Sequence, residues 1–459
     1  MKLKGKTTIE LTDVNTGEVT TVEQENMVTN ALGNFFNNNP MGLFNYLVNS
    51  RTIKYFNKYF IPICPNLLGG ILLFSEALEE NADHILVGSS QLPMGYASND
   101  ANPYDDTKRG SMNLNESMAI SNGYKFVWDF STSQGNGTIA ALALTSNFGG
   151  AAVYGNAYDD TSPFFLMKQD DISGHASEIR ILCALAVEMD VENEIMYSIK
   201  YTTEGIHIYK VHMPIHAIGL TDNLDGSTYE ILEEHTIVPS TFQFVDYINL
   251  NGAFYDGRDG YWYGFGNRYN GSGSATVYWI KISKTDYSFT EGKWTLASTY
   301  LEEAGIVDLE YGNRTSKGCI RNGYWYTLAY NRKGFYKINV NDPADITLIS
   351  LGITTNDYGI GDGTSPNCTL VLIEDILFGK EFMILADDTV VLTKGDTKLS
   401  VLATPLFQWK QFLFCWTAGY RSIYLLTPYL ATINNLDSAV VKTADKTMKI
   451  TYTLTEETE

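Results

Sequence analysis

A chain of 459 residues that is 44% hydrophobic and 19% charged can bury a large core, which fits a folded protein and not a disordered one. Its formal net charge of −21 makes nucleic acid a poor partner, and the densest basic stretch, NSRTIKYFNKYF, is too modest to reverse that. Aromatics make up 13%, with 30 Tyr and 22 Phe, and together with Thr, Val and Ile they favour strands, while Gly and Asn supply turns.

The opening MKLKGKTTIELTD lacks an apolar h-region, so no signal peptide is expected. Residues 6–24 read as two alternating strands around an Asn-Thr-Gly turn, where Asn15 and Gly17 tolerate positive φ. The following stretch shifts to helical spacing, with Leu43, Phe44, Leu47 and Val48 on one face and Pro40 in the first turn. The longest apolar run, YFIPICPNLLGGILLF, is broken by Pro and Gly and contains Asn66, so no membrane insertion is expected. YASNDANPYDDTKR has the composition of a surface loop. GYKFVWDFSTSQGNGTIAALALTSNFGG (123–150) reads as a β-hairpin closed by a double Gly. It holds no cysteine, no histidine and no acidic cluster, so its expected role is architectural.

Beyond residue 180 the chain repeats itself. RDGYWYGFGN (258–267) and RNGYWYTLAYN (321–331) match almost letter for letter, and TVYWIKIS and KGFYKINV follow them as further strands. KWTLAS and ITLISL follow in turn. Weaker copies stand at 194–213, 375–403 and 410–428. A four-stranded antiparallel meander recurring in this way predicts a β-propeller of four or five blades, because one blade cannot bury both of its faces. A pair of β-sandwiches is the alternative, but sandwich strands need not resemble each other at a fixed period. TMKITYTLTE near the C-terminus alternates like the opening strands, and is expected to return to them.

The fold expected is therefore mainly all-β. A propeller-like domain (181–428) is inserted in a β-rich platform or sandwich with one or two short helices, formed by 1–180 and 429–459.

LLGGILLF (67–74), PMGYASNDANPYDDTKRGSMN (93–113), residues 122–150 and LATINNLDSAVVKTADKTMKITYTLTE (430–456) together resemble tail-associated structural proteins of tailed bacteriophages that infect Firmicutes. The resemblance covers the two ends of the chain and not the middle. It implies a virion component at the tail tip, baseplate or fibre, made in the bacterial cytoplasm and released by lysis. Its implied partners are other virion proteins and further copies of itself, with a host-surface glycan as a ligand for the propeller. It carries over no catalytic residue and no cofactor. The alternatives are a polysaccharide-degrading enzyme on the propeller, and a capsid decoration or head fibre.

The candidate site residues are weighed against ordinary packing. Trp262 and Trp325 fall on one strand face and the flanking tyrosines on the other, and large side chains of this kind stack propeller blades together. The functional reading of Tyr261, Tyr263, Tyr324 and Tyr326 is sugar stacking. Tyr269 and Tyr358 join them from the polar, Gly-rich loops 266–275 and 354–367. Asp222 and Asp225 read first as turn residues and second as a weak calcium site, since their loop offers few of the six or more oxygens that calcium takes. His207 and His212, five apart on a strand, point to opposite faces, and Pro214 breaks the run before His216, so no shared metal is expected. Cys64, Cys183, Cys319, Cys368 and Cys415 are scattered, without CxxC, and read as free buried thiols. No pair among the 53 acids stands out as a glycosidase dyad.

Overall fold

The computed structural model describes residues 3–32, 68–86, 88–102, 106–151, 164–171, 181–183, 185–213, 229–244, 253–267, 271–302, 305–307, 314–316, 318–354, 370–379, 382–392, 404–417 and 420–456. The expected helix around Leu43–Val48 lies outside the described residues. The chain forms two compact units: Met1–Phe165 with Thr393–Gly395 and Leu425–Glu459, and Leu166–Leu392 with Asp396–Tyr424.

The first unit opens with β1 (Leu3–Asp13) and β2 (Val19–Val28), paired around a turn in which Gly17 takes φ +74. Then come β3 (Gly70–Phe74), β4 (Gly95–Ala97), β5 (Ser111–Met112), β6 (Met118–Ile120), β7 (Gly123–Phe130), β8 (Gly137–Thr145) and a five-residue helix, α1 (Asn147–Ala151). After the propeller the chain returns as β31 (Thr432–Lys442) and β32 (Lys446–Glu456). The strand order is β4-β3-β8-β31-β2-β1-β32-β7-β5, with β6 on β7. β2 touches β31 only at Met27–Ile433 and Val28–Thr432, so that short corner joins two sheets. One face of the larger sheet is apolar, with Ile9, Leu11, Phe126, Trp128, Phe130, Ile450 and Tyr452 buried. The other carries Lys, Glu and Thr, including Lys6 bound to Glu23 at 2.8 Å.

The segment 123–150 departs from its expected form. Its two strands are present, but β7 and β8 do not pair. β7 lies against β32, and β8 lies between β3 and β31. The C-terminal strands take the hydrogen bonds a hairpin would have used, and the link 131–136 carries the chain from one sheet to the other. A buried lysine fixes that link. Lys442 is 1% exposed and donates to Ser131 O at 2.8 Å and Asn136 Oδ1 at 2.7 Å.

Burial pulls the Lys442 ammonium from its ordinary 10.5 down to about 8, against the pull of Asp445. Between those two values the unfolded chain binds the extra proton, so this group makes stability rise with pH from about 8 upward. The expected result is a platform unfolding midpoint that climbs between about pH 8 and 9.5, below the range where tyrosines titrate. That climb is absent in Lys442→Met. A flat wild-type profile would contradict the assignment.

The second unit is a five-bladed propeller. Its strands are, in chain order, β9 (Phe164–Asp171); β10 (Ala186–Asp190), β11 (Ile195–Thr202), β12 (Gly205–His212) and β13 (Glu230–Ile237); β14 (Ala253–Asp256), β15 (Tyr261–Asn267), β16 (Ser274–Ser283) and β17 (Phe289–Ala297). A two-stranded sheet of β18 (Gly305–Val307) and β19 (Arg314–Ser316) precedes β20 (Cys319–Arg321), β21 (Tyr324–Leu328), β22 (Gly334–Asn339) and β23 (Ile346–Ser350). The last two blades use β24 (Val371–Ile373), β25 (Ile376–Phe378), β26 (Phe382–Ile384) and β27 (Val390–Leu392), then β28 (Thr404–Trp409), β29 (Phe412–Thr417) and β30 (Tyr420–Leu426).

Four blades are sequential meanders, whereas the fifth has the order β28-β29-β30-β9. Residues 164–171, read as platform from the sequence, thus supply the outer strand of the last blade. This closes the ring by joining its first and last segments in one sheet. The first strands form the inner ring: β10 neighbours both β28 and β14, β20 neighbours both β14 and β24. The turn after each first strand repeats one backbone feature. Glu194, Arg258, Asn322, Glu374 and Lys410 all take φ between 51 and 58.

Candidate functional site

The blades share a register that assigns each aromatic its place. Tyr197, Tyr263 and Tyr326 each sit opposite a lysine on the next strand, Lys210, Lys281 and Lys337. The residue before the second and third of these tyrosines is a tryptophan, and alternation turns it the other way, toward the preceding blade. Trp262 packs with Ile199, Ile206 and Ile208 of the first blade. Trp325 stacks on Phe265 of the second, with ring centroids 4.2 Å apart and planes within 17°. The near-identical GYWY blocks therefore mark two equivalent blade junctions.

Tyr263 and Tyr326 are only 2% exposed. Tyr263 donates to Asp259 Oδ2 at 2.7 Å, and burial, then this carboxylate, pushes its hydroxyl pKa up. Tyr326 donates to Asp388 Oδ1 at 2.8 Å and accepts from Arg321 at 3.0 Å, and burial pushes its pKa up as well. Their rings are spent on packing between blades, so the sugar-stacking reading passes from them to their more exposed neighbours. Tyr261 is 38% exposed, with Lys281 Nζ 4.1 Å from its ring centroid. Tyr324 is half-buried, with Lys337 Nζ at 4.5 Å and Asp345 accepting from its hydroxyl at 2.7 Å. These cations and acids hold both rings in fixed positions.

Strand direction separates the two ends of the propeller. Turns after first and third strands leave from one end, and Tyr261 and Tyr324 lie there, beside the turns 257–260 and 322–323. Turns after second strands and the connections between blades leave from the other. Long connections leave from both ends: 213–229 follows a third strand, while 238–252, 298–318 and 351–370 join one blade to the next. Connections on a rigid scaffold are where binding residues concentrate.

At that end, the junction of the second and third blades presents a second aromatic group. Leu301 and Ala329 form an antiparallel bridge, and Tyr330 N–H donates to Tyr300 O at 2.9 Å. The two tyrosines are cross-strand neighbours, 39% and 43% exposed. Arg332 Nε donates to Glu302 Oε2 at 3.3 Å alongside them. The adjoining connection of the first and second blades is tied down by Glu291. Its carboxylate accepts from the N–H groups of Ser240, Thr241 and Phe242 at 2.6–2.8 Å. Burial works against that charge, but these donors outweigh it and hold the carboxyl below its ordinary range. Sequence reading missed Tyr300 and Tyr330. Their only signal was position, one at each side of a blade boundary.

The remaining candidates fall apart or fall outside. His207 binds Glu234, Thr236 and Thr202, while His212 lies 3.5 Å from Glu194. Among the described residues no group of three His, Cys, Asp or Glu side chains could hold a metal. Tyr269, Tyr358, Asp222, Asp225, His216, Cys64 and Cys368 lie outside the described residues. Cys183, Cys319 and Cys415 are thiols rather than disulfides, and burial pushes the Cys319 thiol up to about 12.

Among the described residues, several acids of the propeller are engaged in structure. Glu188 accepts from Trp262 Nε1 at 2.7 Å, and Lys284 Nζ lies 2.8 Å from Glu188 and 2.6 Å from Asp256. Asp190, Asp286, Glu291, Asp345 and Asp387 are all displaced to lower pKa, mainly by hydrogen bonds. A general acid for glycoside cleavage needs the opposite displacement. In the first unit a shallow cleft of about 550 Å³ lies on the polar sheet face. Its central row, Glu10, Lys449 and Asp129, runs acid, base, acid across three adjacent strands, so its charges offset one another.

No protein-family model matches the chain, and no curated protein matches it. Among solved structures it is similar to a streptogramin B lyase at 13% identity, over 81% of this chain and 94% of that one, with a TM-score of 0.24. That likeness bears on neither activity nor substrate.

Proposed function

We propose that the chain is a structural component of a tailed-bacteriophage virion, at the tail tip, baseplate or fibre, and that its propeller serves host-surface recognition. The observation that carries this reading is how the framework motifs are used. The residues that give the resemblance to phage tail proteins are the ones that build the first unit: LLGG and FGG bring Gly70 and Gly150 into backbone contact, and TMKITYTLTE supplies β32 between β1 and β7. An assembly protein needs such a frame, and a propeller spliced into it can vary without disturbing it. Engaged carboxylates in the propeller support presentation over cleavage.

On this reading the chain assembles with other virion proteins and with its own copies, and leaves the host cell by lysis. Immunogold labelling of intact virions with antibody to residues 181–428 tests it. Gold at the distal tail is the expected result. Gold on the head would point instead to a capsid decoration, and unlabelled virions would remove the virion role.

A further inference from the structure

We propose that Tyr300 and Tyr330 form a stacking subsite for a pyranose ring of a surface polysaccharide, flanked by the Arg332–Glu302 pair as its hydrogen-bonding wall. This rests on the reading of the propeller as a recognition module, and it locates the contact at the end where one blade is joined to the next.

The geometry is built, not incidental. Leu301, between the two strands' contact, is 0% exposed and anchors the segment, and Glu302 N–H donates to Leu328 O at 2.9 Å. Tyr300 N–H donates to the hydroxyl of the buried Tyr336 at 3.3 Å. The pairing places both tyrosine side chains on the same side, at cross-strand neighbour distance. Gly271 approaches from the second blade, its backbone lying against the ring: a Cβ there would come 2.8 Å from Cε1 of Tyr330. Ser298 and Arg332, on either side of the pair, take φ of 54 and 57, a conformation that costs non-glycine residues energy and clusters at functional sites.

The chemistry selects a sugar. Two phenol rings cover about the area of one or two pyranose C–H faces, and their hydroxyls add polar edges. The guanidinium of Arg332 is oriented by its carboxylate partner, which makes it a preorganised donor plane for sugar hydroxyls. Among the described residues, Ser272, Gly273, Ser298 and Asn331 near the pair are exposed and small or polar. A protein partner would need an apolar centre larger than two rings.

The test uses the full chain on an array of bacterial cell-wall polysaccharides and of oligosaccharides containing glucose, galactose, rhamnose and N-acetylhexosamines. The best-bound glycan is then titrated by calorimetry. Tyr300→Ala and Tyr330→Ala are each expected to weaken binding about tenfold, while Tyr330→Phe stays within about threefold, because the ring and not the hydroxyl supplies the contact. Both tyrosines are exposed, so the melting temperature should hold. No glycan bound on the array, or unchanged affinity in the double alanine variant, would overturn the subsite. Loss of binding in Tyr261→Ala or Tyr324→Ala alone would also overturn it, and would move recognition to the opposite end with the recognition role intact. Binding lost with Tyr300 and Tyr330, in a chain that virions do not carry, would leave the subsite standing and remove the virion role.

Discussion

Gly150→Ala is expected to destabilise the first unit by about 3 kcal/mol, at the upper end of what overpacking costs. A Cβ on Gly150 would lie 2.1 Å from Ala97 O and 2.6 Å from Gly70 Cα. A Cβ on Gly70 would lie 2.1 Å from Ser146 O and 2.9 Å from Gly150 Cα. Every one of these contacts is backbone, so no side chain can rotate away. Relief requires α1 to lift off β3, and with it the contacts that seat Gly149 against Thr427. Gly17→Ala makes the control. Its φ of +74 imposes a strain, but nothing lies within 4 Å of the added carbon, so about 1 kcal/mol is expected. A chain of two units need not unfold in one step, so a single midpoint would mix their responses. Hydrogen exchange of peptides covering β3 and β8 reads the affected sheet directly. Equal loss of protection in Gly150→Ala and Gly17→Ala would show that Gly70 and Gly150 do not meet as described.

The propeller was legible because two of its five blades repeat the GYWY block, and because tryptophan and tyrosine alternate there with strand period. The first strands were not legible. β14, β20 and β24 are three or four residues long, too short for alternation to register, so the GYWY blocks read as first strands when they are second ones. β9 was hidden for another reason: its partner β30 lies some 250 residues away, and local pattern carries no information about closure. The 123–150 segment shows the same limit. Strand, link and strand were each readable, but pairing is decided by which strands compete for the same edges, and β31 and β32 win both. For the site, the tyrosines of the repeated blocks drew attention because they repeat, and repetition in a propeller marks packing. Tyr300 and Tyr330 belong to an isolated bridge, which leaves no periodic trace.

Arg321→Ala is expected to cost about 3 kcal/mol or more, the effect of leaving buried polar groups unpaired. Arg321 is 3% exposed and joins the third blade to the fourth. Its guanidinium donates to Asp375 O at 2.7 Å and Ile384 O at 3.1 Å, both in the fourth blade, and to Asp388 Oδ1 at 2.8 Å. It also donates to Tyr326 of its own blade at 3.0 Å. Asp388 has a second cation, Lys337 at 2.5 Å, so the carboxylate keeps a partner when the arginine goes. What loses a donor is the pair of carbonyls and the inner edge of the Tyr326 hydroxyl. Arg321→Lys should therefore recover less than half of the loss, since one ammonium cannot reach two carbonyls, a carboxylate and a phenol in their fixed plane. Lys6→Ala, on an exposed pair with Glu23, should cost well under about 1 kcal/mol by comparison. Salt separates the two cases further: raising ionic strength weakens the surface pair and leaves the buried one nearly unchanged. Urea unfolding at low and high salt, followed separately in the propeller for Arg321 and in the first unit for Lys6, measures both. If Arg321→Lys behaves like wild type, the arginine acts only as a charge for Asp388, and the junction of these blades is held by its apolar contacts, Phe335 on Phe382 foremost.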